Sequence, residues 1–442
     1  MRRAMALVAP LTVALLLVGV SLTSPVVSAT AEVPVWNEGD RWALGKEADM
    51  GSMVGDTTDI EYLLEIAELT LDNFVAQGEA ASWIVFEVVD ASGTEYDVSV
   101  KYGGEVNADV HVQVSGEMPK AGTYSNLNDA PKEQKTVKLD LVADFAVVFD
   151  GNVIFNKTDL AVKQMSYEFN ASLVISADGT NIPTINMSAG QTEIGYSDYS
   201  IDIRFDLNLA VDIDFDPMLN IFDFPLDVGD MWTVESVATV SGTIDGFLDA
   251  TGLPSEIEQE IFAQELAEQI GITKFPIEFD QLSSNGKGVS IHDGVIESFQ
   301  VPIHAEMECI DMTPMIVLGH GTIDVYVIEV DGGPNRLYYA PGMQFFTSVG
   351  TGLGGIELPE GIPSGLTPDV EIQMDTVDSE QAENGIASIA AYQTQISEEA
   401  AGEGSTNDGS GFFFDAPYVG IILIVVVILV MIIAVALVTR RK

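Results

Sequence analysis

The chain is poor in what an enzyme, a nucleic-acid binder or a disulfide-stapled domain needs. One cysteine in 442 residues, Cys309, excludes an intramolecular disulfide, so the core alone must hold the fold. Four histidines leave carboxylates as the only abundant acid–base groups, and those occur everywhere and single out no pair. Lys and Arg number 18 against 68 Asp and Glu. Five of the bases (Arg2, Arg3, Arg440, Arg441, Lys442) lie at the two ends, which leaves 13 against all 68 acids and a charge of −55 on residues 32–417. Such a field excludes nucleic acid and anionic membrane surfaces as partners. Between Arg204 and the tail the only bases are Lys274, Lys287 and Arg336, so solvent cations rather than ion pairs neutralise the acids, as suits an acidic surface in a salty exterior. Specific divalent-metal binding is the alternative use of so many carboxylates.

Sequence motifs for chemistry are also missing. There is no nucleophile elbow, no His-Glu-x-x-His and no phosphate loop. Gly350-x-Gly352-x-x-Gly355 has the spacing of a dinucleotide fingerprint, but it runs into Ile356-Glu357-Leu358-Pro359 rather than a helix. The sequence implies no cofactor.

What the chain does have is two apolar runs placed to address it. Tyr418 to Val438 is apolar throughout, about the 20 residues a helix needs to cross the hydrocarbon core, and Thr439-Arg440-Arg441-Lys442 follows at once as a cytoplasmic anchor. Arg2 and Arg3, the apolar stretch Ala4 to Val20 and the site Ala29-Thr30-Ala31 together make a secretory signal peptide with cleavage near Glu32. The expected organisation is a signal peptide (1–31), a first β-rich unit (32–220), a second (221–396), a flexible acidic linker (397–417), a transmembrane helix (418–438) and a cytoplasmic basic tail (439–442). The membrane is then a partner through a single-pass anchor, with the ectodomain outside the cell.

A repeat at an offset of 190 residues defines the two units: Gly39-Asp40-Arg41-Trp42 follows Pro34, and Gly229-Asp230-Met231-Trp232 follows Pro225. Gly39, Asp40, Trp42, Gly229, Asp230 and Trp232 are expected to be structural, a tight Gly-Asp turn feeding a strand that opens on Trp. Capping-box spacing at Thr58/Glu61 and Ser255/Glu258 predicts a helix in each unit, over about 58–76 and 255–271, although Thr70 and Phe74-Val75 fit the start of a strand equally well. Long period-two alternation predicts antiparallel strands elsewhere: Ile201 to Phe215 has every odd residue apolar, and Val137 to Phe149, Met165 to Ile175, Tyr96 to Tyr102 and Val106 to Val114 follow suit. Gly103-Gly104, Asp150-Gly151-Asn152 and Asp178-Gly179 are read as hairpin turns between them. The expected fold class is therefore mainly β (β-rich α+β), two tandem curved antiparallel sheets each with a helix, plus a C-terminal transmembrane helix.

Gly229-Asp230-Met231-Trp232-Thr233, then Gly321-Thr322-Ile323-Asp324-Val325-Tyr326-Val327-Ile328, then Leu337-Tyr338-Tyr339-Ala340-Pro341-Gly342 resemble, in order, the strand motifs of prokaryotic, archaeal-type exported single-pass surface proteins. The resemblance implies a lipoprotein-carrier-like half-barrel, a curved sheet wrapping a helix, in a cell-envelope protein of unassigned or lipid-related role. No catalytic residue carries over from it.

Three sequons, Asn156-Lys157-Thr158, Asn170-Ala171-Ser172 and Asn186-Met187-Ser188, make Asn156, Asn170 and Asn186 glycosylation candidates. His304, Glu306 and Glu308 alternate along one predicted strand, and with His292 or His320 they are the best metal candidates, although ligands about 7 Å apart along a strand would have to converge. Asp212, Asp214 and Asp216 are a calcium candidate without a glycine-bearing loop. The expected function is a membrane-anchored, non-enzymatic surface protein that binds a hydrophobic or extended ligand or packs against envelope proteins. The alternative is an exported metal-dependent hydrolase using the His304 strand.

Overall fold

The computed structural model describes residues 31–49, 64, 69–125, 130–188, 191–252, 288–317, 321–330, 336–350 and 375–402. These form strands β1 (Arg41–Asp49), β2 (Leu69–Asp90), β3 (Glu95–Pro119), β4 (Gly122–Tyr124), β5 (Lys132–Asn156), β6 (Val162–Ser188) and β7 (Gln191–Leu219). Then come β8 (Met231–Thr251), β9 (Gly288–Val317), β10 (Gly321–Val330), β11 (Arg336–Ala340), β12 (Phe345–Gly350), β13 (Asp375–Thr376) and the helix α1 (Ser379–Gly402).

All the strands join one antiparallel sheet in the order β12-β11-β10-β9-β8-β7-β6-β5-β3-β2-β1-β13, with β4 on β7. Two separate sheets were expected, one per unit. Instead β7 pairs with β8 from Asp202↔Thr251 to Phe215↔Ala238, directly across the expected division at 220/221. A meander with chain neighbours side by side needs no crossover, so nothing in the topology obliges the ladder to break there.

Alternation decides which face each strand buries. Phe205, Leu207, Leu209, Val211, Ile213 and Phe215 on β7 all point into the main core, as do Tyr96, Val98 and Val100 on β3. The sheet curls until its ends meet on that face. Trp42 of β1 stacks on Phe345 of β12 with ring centroids 4.3 Å apart, and Trp42 Nε1 donates to the Met343 carbonyl at 3.1 Å. One contiguous apolar cluster results, with members from β1–β3 and β5–β12.

The three glycine turns predicted within this region are not turns. Gly103-Gly104 lies inside β3, Asp150-Gly151-Asn152 inside β5 and Asp178-Gly179 inside β6. Glycine in a strand interior marks a place where backbone or side chain comes too close for a Cβ. A Cβ on Gly151 would stand 2.4 Å from the Ser166 carbonyl oxygen, and one on Gly179 2.7 Å from Ile182. Strands of 25 to 30 residues, such as β3 and β9, can follow a strongly curled sheet only with such points of close approach.

Over 69–76 the strand alternative holds and the helix does not. Residues from Leu69 onward are strand, because Phe74 and Val75 pair with Val112 and His111 of β3. Leu64 is helical and buried in the main core. The helix predicted over 255–271, the signal peptide and the transmembrane span at 418–438 lie outside the described residues. Among the described residues no helix is long and apolar enough to cross a membrane.

α1 was not anticipated. Its start is capped by Asp378, whose Oδ1 accepts the N–H groups of Glu380 (2.9 Å) and Gln381 (3.3 Å). It runs on through Gly402, so residues 397–402, expected to open a flexible linker, are helical.

Candidate functional site

The two Gly-Asp-x-Trp segments form the same corner. Gly39 and Gly229 have φ of +90° and +95°, a conformation open to glycine without strain. Asp40 Oδ2 accepts the Asn37 N–H at 2.7 Å, and Asp230 Oδ2 accepts the Asp227 N–H at 2.7 Å. Each corner is clamped to the neighbouring strand by two backbone bonds, Gly39 N–H to the Val88 carbonyl with Val88 N–H to the Asp40 carbonyl, and Gly229 N–H to the Cys309 carbonyl with Cys309 N–H to the Asp230 carbonyl. Val88 and Cys309, equivalent in this scheme, are both fully buried. Burial first, then Asp230 and Asp227, pushes the Cys309 thiol up to about 12, which removes it as a nucleophile at neutral pH.

The residues singled out for metal chemistry stay apart. His304 is exposed on β9 and its Nδ1 lies 3.4 Å from Oε1 of Glu235, its partner across β8. Glu306 is exposed, and Glu308 is half-buried opposite Glu329 of β10. His292 has its backbone in β9, and His320 lies outside the described residues. Asp212, Asp214 and Asp216 alternate along β7 toward solvent. Among the described residues no group of three or more His, Cys, Asp and Glu side chains is disposed to hold a metal ion.

The outer face of the sheet carries the more elaborate arrangement. On β1, Trp42 and Leu44 point inward, while Ala43 points outward and joins Trp83, Val85 and Ala146 against Ala382, Ile386, Ile389 and Ile396 of α1. Glycines let the helix approach. A Cβ on Gly103 would stand 3.2 Å from Cα of Ile386, and the indole of Trp83 is wedged between Gly45 and Gly385. Beyond this apolar seam the contacts turn polar. The Tyr392 hydroxyl and Asn107 Nδ2 both donate to Asp144. Burial, reinforced by that acceptor, pushes the Tyr392 phenol well above its ordinary range. Gln393 Nε2 donates to Ser172 Oγ at 2.8 Å, Ser172 Oγ donates to Asp206 Oδ2 at 2.7 Å, and Asn208 Nδ2 donates to Asp206 Oδ1 at 3.0 Å. Ser172 is 0% and Asp206 6% exposed, so the buried carboxylate keeps its place through hydrogen-bond donors on both oxygens.

Next to this network, β6, β7 and β8 leave a groove of about 350 Å3 lined by Glu168, Asn170, Asn208, Ala210, Thr243 and Asp245. Its carboxylates and amides can accept hydrogen bonds and attract cations. Of the three sequon asparagines, Asn170 is half-buried at this groove, Asn156 is the last residue of β5, and Asn186 has its backbone in β6.

Sequence reasoning passed over Tyr392, Gln393, Ser172 and Asp206. A signal for α1 existed in the spacing of Ala382, Ile386, Ile389, Gln393, Ile396 and Ala400, one face of a 3.6-residue period. Nothing distinguished Asp206 from its neighbours Asp202, Asp212 and Asp214 in an alternating strand. Compared with known protein families, curated proteins and solved structures, the chain matches none.

Proposed function

We propose that the protein is a membrane-anchored cell-surface protein, held by a single C-terminal span, whose acidic β-rich ectodomain is a non-enzymatic module that packs in the cell envelope. The observation that carries this reading is the occupied inner face. A lipid-related role of the lipoprotein-carrier kind needs an open apolar concavity, whereas here side chains of β1–β3 and β5–β12 pack against one another in one cluster. What remains for contact is the part of the outer face that α1 leaves uncovered, where Asp140 and Asp150 of β5 and Asp212, Asp214 and Asp216 of β7 are exposed and would meet envelope neighbours through bridging cations. The location rests on the terminal sequence: charged n-region and cleavage site at one end, apolar run and basic tail at the other. Protease treatment of intact cells tests it. A soluble fragment whose C-terminus falls in the small acidic stretch 403–411 is expected, and recovery of that fragment only after lysis would overturn the proposal.

A further inference from the structure

The Asn156 and Asn170 sequons are equal as sequence but not as structure. Asn170 needs Ser172 as the hydroxyl of its sequon, and Ser172 is 0% exposed, its Oγ engaged at once by Asp206 and by Gln393 of α1. An enzyme that must grip both Asn170 and Ser172 meets the helix first. Asn156 ends β5 and starts the corner into β6, with Thr158 exposed. Asn156 is half-buried; its Oδ1 accepts the Thr158 N–H at 2.9 Å and its Nδ2 donates to Met218 Sδ at 3.9 Å. Lys157 between them is drawn away, its ammonium over the Tyr96 ring and bonded to the Ala91 carbonyl. The sequon hydroxyl residue is therefore exposed beyond a strand end in one case and buried beneath a docked helix in the other.

We propose that, of Asn156 and Asn170, Asn156 is the N-glycan acceptor in the folded protein and that α1 closes the Asn170 sequon once it docks. The step is transfer from a polyprenyl-pyrophosphate oligosaccharide. Asn156 Nδ2 attacks the anomeric carbon, a C–N bond forms as the C–O bond to pyrophosphate breaks, polyprenyl pyrophosphate leaves, and the amide proton passes to the transferase base. The sugar would stand over Met218, one of the exposed apolar side chains. Modification of Asn170 would require local opening of α1 and would be slowed by the full cost of that opening.

The proposal rests on the exported location above, since only an exported chain meets such a transferase, but its test is separate. Full-length protein made in a host without N-glycosylation is incubated in detergent with an oligosaccharyltransferase and a polyprenyl-pyrophosphate oligosaccharide. Site occupancy is then followed by glycopeptide mass spectrometry. In the folded chain Asn156 should be modified more than an order of magnitude faster than Asn170. Excised peptides carrying the two sequons should react within a few-fold of each other. Equal rates at the two sites in the folded chain, or refusal of Asn156, would overturn the assignment. A chain that resisted protease on intact cells would defeat the location while leaving this result intact.

Discussion

The two Gly-Asp-x-Trp corners have the same backbone and different surroundings. At both, glycine sits at positive φ, the aspartate caps a backbone N–H three residues earlier, and two bonds clamp the corner to a fully buried residue of the next strand. Their tryptophans diverge. Trp42 is buried, stacked on Phe345 and packed near Trp36, so it fastens the first end of the sheet to the last. Trp232 is half-exposed in the middle of the sheet, and its Nε1 donates to the nearby Ile221 carbonyl at 3.1 Å. The corner is thus written locally, whereas the work of its tryptophan is set by position in the sheet.

The largest effect should come from breaking that asymmetry at Trp42. Trp42→Ala removes an aromatic that joins β1 to β12, and a loss of about 3–5 kcal/mol is expected from the cavity and lost burial. Trp232→Ala should cost roughly half as much, because its ring is already partly in water. Urea unfolding of both variants is the measurement. Equal losses would mean that Trp42 does not join the sheet ends.

A smaller effect should fall evenly on both corners. Gly39→Ala and Gly229→Ala each force a Cβ into positive φ, and neither meets a neighbouring atom within 4 Å, so the cost is backbone strain alone, about 1–2 kcal/mol. Asp40→Ala and Asp230→Ala each lose one backbone capping bond, about 1 kcal/mol, and Asp40→Ala also loses a long, exposed bond from Asn37 Nδ2. Matching losses in each pair would sharpen the claim of equivalence. A pair differing by more than about 1 kcal/mol would sink it.

How much of this was readable from the chain follows the same division. The repeat was legible because a Gly-Asp turn is specified by its own residues, and β7 was legible because Ile201 to Phe215 alternates without a break. The glycines misled for the opposite reason. Gly103 and Gly151 answer to atoms on other elements, Ile386 of α1 and Ser166 of β6, and Gly179 to Ile182 at a bulge in its own strand, and a local reading can see only a turn former. The single sheet was hidden similarly, since the β7–β8 ladder that fuses the two halves is a tertiary choice. Of the outer site, the sequence exposed the alternation of acids but not Ser172, Asp206, Tyr392 or Gln393, whose roles arise only when α1 lies across the strands.

The smallest expected effect lies at Arg41, a corner position where the copies differ in charge. Arg41 occupies the first corner where Met231 stands in the second, and its guanidinium pairs with Glu87 across β2 and with Glu383 of α1 at 3.0 Å. Both partners are a third or more exposed, so solvent screens the pairs, and the raised arginine pKa that their hydrogen bonds cause does not translate into a large stabilisation. Arg41→Met makes the first corner resemble the second, and it should cost less than about 1 kcal/mol at low salt. In about 1 M salt, where the Debye length is about 3 Å, parent and variant should unfold at nearly the same urea concentration. A loss of several kcal/mol that salt does not relieve would show instead that Arg41 holds α1 to the sheet through its packed stem, and the outer seam would then depend on the first corner in a way the second has no counterpart for.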